Sequence, residues 1–143
     1  MGQQLADAFK KVLPPQPMEV WMLKDSEIRM DDENKEDKHY RPCLVIQSSV
    51  VRSQKMISVI PFSRQKIKEK DTLIFPVERG YECKNDEFDP DRNSCAIIPL
   101  YQPICLSHFR EKVGKLDAIC YNAILFTLCY DYIGLERHFD LAP

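Results

Sequence analysis

Between Arg41 and Ser63 the chain reads Arg-Pro-Cys-Leu-Val-Ile-Gln-Ser-Ser, a short polar stretch, then Met-Ile-Ser-Val-Ile-Pro-Phe-Ser. Two β-branched runs of strand length around a segment rich in Ser, Lys and Arg predict an antiparallel hairpin. In such a pair the start of the first strand lies beside the end of the second. Arg41 and Ser63 are therefore expected together at one solvated rim of a sheet, as a guanidinium and a hydroxyl able to face an anion. The alternative for Arg41 is a rim salt bridge with the acidic loop ahead of it.

Strand signals surround this hairpin. Met18 to Leu23 predicts a first strand with Trp21 in the core, Thr72 to Val77 a further strand stopped by Arg79-Gly80, and Glu111 to Leu116 a last one. Cys95 to Leu106 is apolar but broken by Pro99 and Pro103, so its strands are expected to be short or at an edge. Asp117 is placed as the N-cap of a helix from Ala118 to Ile133, with Gly134 ending it. That helix is apolar nearly all round, so more than one of its faces is expected to be covered. Leu5, Ala6, Phe9, Val12 and Leu13 repeat at helical spacing before Pro14, which predicts an amphipathic N-terminal helix. It either packs over one end of the fold, or covers a site or contacts a partner. The expected organisation is a helical extension over residues 1–17 and one folded domain over 18–143, mainly β with α elements (α+β).

Charge narrows the function classes. The 143 residues carry a net charge of −2, so no global basic field supports nonspecific nucleic-acid binding, and an RNA site has to be a local patch. Arg64, Lys66 and Lys68, directly after Ser63, form the one clearly basic segment and can track a phosphate backbone; an exposed turn of mixed charge is the other reading. Lys24 to Tyr40 is dense in both signs of charge and predicts a surface loop. The six cysteines include no C-x-x-C pair, which points to reduced thiols in a cytoplasmic protein with no metal framework. The apolar stretch from Ala118 to Tyr130 is too short to span a bilayer, and no membrane role is expected.

A Trp-containing first strand, a charged loop, Arg41-Pro42 opening a hydrophobic strand, and Val59-Ile60-Pro61-Phe62-Ser63 closing the next resemble the MazF/PemK/Kid family of toxin endoribonucleases. Tyr101-Gln102-Pro103 stands where that family has its Asp-Gln motif, and Val113 to Asp117 where it has a last strand running into a C-terminal helix. The resemblance covers about residues 18 to 135. It implies an SH3-like antiparallel barrel, a homodimer, and sequence-specific, metal-independent cleavage of single-stranded RNA without a cofactor, held in check by an antitoxin partner. It implies catalytic roles for Arg41 and Ser63, with Gln102 beside the basic segment on the RNA. The family's aspartate is replaced by Tyr101, and the general base is unassigned. His39, two residues from Arg41, is the candidate base, imidazole being the side chain suited to proton exchange; His108 and His138 have no motif around them. The rival reading is a non-catalytic SH3-like binding module, or a CcdB-like toxin acting on a protein.

Overall fold

The structure is a computed structural model. It describes residues 14–30, 39–47, 55–63, 73–77 and 94–135, together with the backbone of 81–83. The expected N-terminal helix, the segment holding Arg64, Lys66 and Lys68, and His138 lie outside the described residues. The strands are β1 (Glu19–Lys24), β2 (Tyr40–Val45), β3 (Met56–Ser63), β4 (Ile74–Val77), β5 (Tyr81–Cys83), β6 (Ser94–Ile97), β7 (Gln102–Cys105) and β8 (Phe109–Leu116). A C-terminal helix, α1 (Ala118–Phe126), follows.

The expected hairpin is present, with Cys43 opposite Pro61 and Leu44 opposite Ile60. Every ladder is antiparallel, and the sheet runs β4-β6-β3-β2-β1-β8-β5 with β7 also on β3. The expected mainly antiparallel β fold with a C-terminal helix is present, and among the described residues its sheet is not closed into a full barrel. The outer edge of β3 is divided, Met56 to Val59 pairing with β7 and Phe62 and Ser63 with β6, so the sheet forks there and its end strands stay unjoined. Pro99 lies in the short 3₁₀ turn Ile98–Leu100 between β6 and β7, which carries the chain from one branch to the other. The strand β5, absent from the sequence reading, pairs with β8.

Side chains alternate across a strand, and here both sides of β1, β2 and β3 are covered. Val20, Met22, Leu44, Ile60 and Phe62 pack with Tyr121, Ile124 and Leu128 of the C-terminal helical segment. Leu23, Cys43, Val45, Ile57 and Val59 pack on the other side against Ile28 and Ile104. Trp21 joins this second cluster part-buried, its ring edge-on to Phe109 at 6.0 Å. Two-sided burial explains why the runs in β2 and β3 are almost continuously apolar.

Asp117 caps α1 as expected, its Oδ1 accepting from the Cys120 N–H at 2.7 Å. The helix is regular for a shorter span than predicted. From Thr127 to Tyr132 it widens into a π-type turn, with the Ile133 N–H donating to the Leu128 carbonyl, and Gly134 then takes a φ of 78° that ends it. The Thr127 hydroxyl donates to the Ala123 carbonyl at 2.9 Å, a local competitor for the helical bonds where the regular helix stops. No helix among the described residues is long and apolar enough to cross a membrane.

Candidate active site

The end of the sheet where β2 starts and β3 stops holds Arg41 and Ser63. The ladder from Cys43 opposite Pro61, continued outward, places them across from each other, and the Arg41 Nη1 donates to the Phe62 carbonyl at 2.8 Å. The predicted proximity is therefore present. The predicted solvated rim is not: Arg41 is 0% exposed and Ser63 is 2% exposed. Strand alternation is the cause, because Arg41 shares a face with Cys43 and Val45, and that face is the one roofed by Ile28 and Ile104.

A buried guanidinium requires a counter-charge, and Asp25 supplies it. Its Oδ1 lies 2.7 Å from the Arg41 Nε, with the Asp25 side chain 13% exposed. Asp25 opens the short 3₁₀ turn Asp25–Glu27 directly after β1, and its N–H donates to the His39 carbonyl at 3.1 Å. The salt bridge foreseen as the alternative for Arg41 thus exists, but in the interior. Cys43, on the same face, has its thiol pushed well up by burial, as befits a packing residue. His39 is exposed and lies just ahead of β2.

Gln102 opens β7 and is half-buried. Its amide grips the segment after β1 at two points: Oε1 accepts from the Arg29 N–H at 2.8 Å, and Nε2 donates to the Arg29 carbonyl at 3.0 Å. Nε2 also reaches the Leu100 carbonyl at 2.9 Å. Its neighbour Tyr101 is exposed and meets Tyr132 edge-on at 6.3 Å, a packing role against the end of the helical segment.

The segment gripped by Gln102 forms one wall of a cavity of about 530 Å³, with Glu27 and Arg29 on that wall and Gln102, Cys105 and His108 facing them. The His108 Nε2 stands 3.7 Å from the Glu27 Oε2. Asp25, Glu27 and His108 are the residues the sequence reading passed over. Asp25 and Glu27 were two acids among many in a charged loop, and nothing in the residues around His108 signals a partner 81 positions earlier. The described cysteines are free. Among the described residues no group of His, Cys, Asp and Glu is arranged to hold a metal ion.

No protein-family model matches this sequence, and no curated protein matches it either. Solved structures do. The Mycobacterium tuberculosis toxin MazF-mt6 superposes with a TM-score of 0.56 at 17% identity, over 80% of this chain and 96% of that one. A MazE-MazF structure from Deinococcus radiodurans gives 0.59 at 10% identity, over 85% and 97%. An endoribonuclease in complex with its cognate antitoxin from a mycobacterial species gives 0.52 at 10% identity, over 85% and 94%. At these identities the likeness is one of architecture, and on that basis the chain carries the fold of the MazF toxins.

Proposed function

We propose that this protein is an endoribonuclease toxin that cuts single-stranded RNA in a sequence-specific, metal-independent reaction and is neutralised by an antitoxin protein. The observation that carries the reading is Arg41: on a fold shared with toxin endoribonucleases, its guanidinium is held by Asp25 and the Phe62 carbonyl at the end of the strand pair, with Ser63 opposite. Cleavage by the RNA's own 2′-hydroxyl develops charge on the phosphorane, and a preorganised guanidinium stabilises that charge without reorganising. Ser63 adds a neutral donor. His39, exposed just ahead of β2, is the imidazole closest to Arg41 in sequence. Arg64, Lys66, Lys68 and Gln102 are assigned to the RNA strand. The protein acts in the cytoplasm as a homodimer, in which exposed apolar side chains of the C-terminal helical segment meet their copies.

Incubating the pure protein with a long RNA in EDTA and mapping the new ends tests this directly. Discrete cuts are expected. Arg41→Ala is expected to lower the rate by about 10²- to 10³-fold, the loss typical of one oriented donor. Arg41→Lys recovers little, because a lysine cannot form the planar fork. Ser63→Ala costs less. Melting curves of each variant separate a lost donor from a lost fold.

A non-catalytic binding module is the second reading, and the burial of Arg41 favours it, since a guanidinium closed in by Asp25 is first of all a structural group. Discrete binding to a protein partner with no RNA cleavage is the outcome that selects it.

A further inference from the structure

The cavity beside Gln102 joins three stretches that are far apart in sequence, and its lining is chemically divided. Met56 and Ile104 give it an apolar side, while Glu27, Arg29 and His108 bring charge and a proton-exchanging ring. Its volume of about 530 Å³ lies in the range of small-molecule sites, which suits one nucleotide. The wall bearing Arg29 is pinned through its backbone by the Gln102 amide, so the guanidinium projects from a fixed point.

Within this cavity the His108 Nε2 faces the Glu27 carboxylate at 3.7 Å, with the imidazole 29% and the carboxylate 46% exposed. Both groups are within reach of a ligand. A carboxylate on one ring nitrogen favours the tautomer with its proton there and leaves the other nitrogen as the acceptor. Catalytic contacts of this length commonly tighten when substrate binds. Glu27 is the last residue of the 3₁₀ turn whose first residue, Asp25, holds Arg41, so one short turn carries both carboxylates. His39 lies outside this cavity.

We propose that the cavity takes one ribonucleotide of a single-stranded RNA, its 5′-phosphate towards Arg29 and its base on Met56 and Ile104, and that His108, oriented by Glu27, is the base that accepts the 2′-hydroxyl proton. This rests on the endoribonuclease reading and supplies the proton acceptor that reading lacks. As the proton passes to the neutral imidazole, the 2′-oxygen bonds to phosphorus and the bond from phosphorus to the 5′-oxygen breaks. The electron pair leaves on the 5′-oxygen, which takes a proton from water. The imidazolium returns its proton to the hydroxide so formed. The products are a 2′,3′-cyclic phosphate and a 5′-hydroxyl, with no change of oxidation state. Among the described residues, the ionisable groups around the ring are Glu27 and Arg29 from the segment after β1 and Cys105 from β7, with Lys55 beside Cys105.

Two measurements test the proposal. In the first, kcat/KM for a long RNA is followed from pH 5 to pH 8. The wild-type value is expected to rise with pH as the imidazole loses its proton. His108→Gln is expected to fall by about 10²- to 10⁴-fold and to lose that rise, while Glu27→Gln lowers kcat, leaves KM unchanged and keeps the rise. His108 is partly exposed, so its variant is expected to fold. In the second, Cys105 reports occupancy. Hydrogen bonds from the Ser107 hydroxyl and N–H hold its thiol below the usual range, so it is expected to alkylate readily. A 2′-O-methyl RNA, which cannot be cut, is expected to slow iodoacetamide labelling of Cys105 in the wild type and in His108→Gln alike. Wild-type protein that cuts no RNA overturns the endoribonuclease reading and this proposal with it. Cleavage by His108→Gln at the wild-type rate and pH profile, or RNA that leaves Cys105 labelling unchanged, overturns this proposal alone.

Discussion

At the scale of single residues, two carboxylates, Asp25 and Glu19, have ion pairs whose loss can be measured. Asp25 is a counter-charge for a guanidinium with no solvent exposure, so Asp25→Ala breaks a buried ion pair from one side. A loss of about 3 to 5 kcal/mol in urea denaturation is expected, the usual cost of breaking a buried pair from one side. Arg41→Ala is expected to destabilise for the same reason, which is why its activity has to be read beside its melting curve. Glu19 works differently. Burial pushes its carboxyl up, but hydrogen bonds from Lys112, the Gln16 N–H and the Trp21 indole, together with the Lys112 charge, outweigh burial and hold it below the usual carboxylate range. A depressed folded-state value means stability that is present above the unfolded value, about 4.3, and is lost as pH falls through the folded one. Denaturation midpoints measured from pH 6 down to pH 3 are expected to fall less steeply in Glu19→Gln than in the wild type.

At the scale of elements, α1 depends on its first turn. The Asp117 carboxylate satisfies the Cys120 N–H, and Asp117→Ala is expected to lower stability by about 1 kcal/mol in thermal unfolding. A change well below that would mean that packing of Tyr121 and Ile124 alone sets the helix start. The cap and the terminating Gly134 were both legible in the sequence because each acts within a few residues of itself. The switch to a π-type turn after Phe126 was not legible, since an apolar run keeps its pattern whether the hydrogen bonds span four residues or five.

At the scale of the whole molecule, the C-terminal helical segment leaves Ile119 85% and Phe126 57% exposed, with the Phe126 ring stacked on Tyr130 at 4.4 Å. Exposed apolar groups concentrated on one segment mark a contact surface. Sedimentation is expected to give a dimer at micromolar concentration. Phe126→Glu should return a folded monomer, and a wild-type monomer would remove the case for this interface.

The hairpin and the capped helix follow from local chemistry: β-branched runs, polar turns and a carboxylate three residues ahead of an N–H it can reach. The sequence by itself determined those, and it also determined that Arg41 and Ser63 would meet, because antiparallel pairing leaves no other arrangement for the ends of a hairpin. Which side of the sheet they meet on was decided by tertiary structure. Burial of Arg41 needs the roof formed by Ile28 and Ile104, residues from either end of the chain's β region, and no local pattern states that a second layer will close over that face. The same holds for Asp25 on Arg41, Gln102 on Arg29 and Glu27 on His108. Each is a pairing of polar groups across a fold, and such pairs leave no periodicity behind, only individual charged residues that resemble solvated ones until the chain has folded.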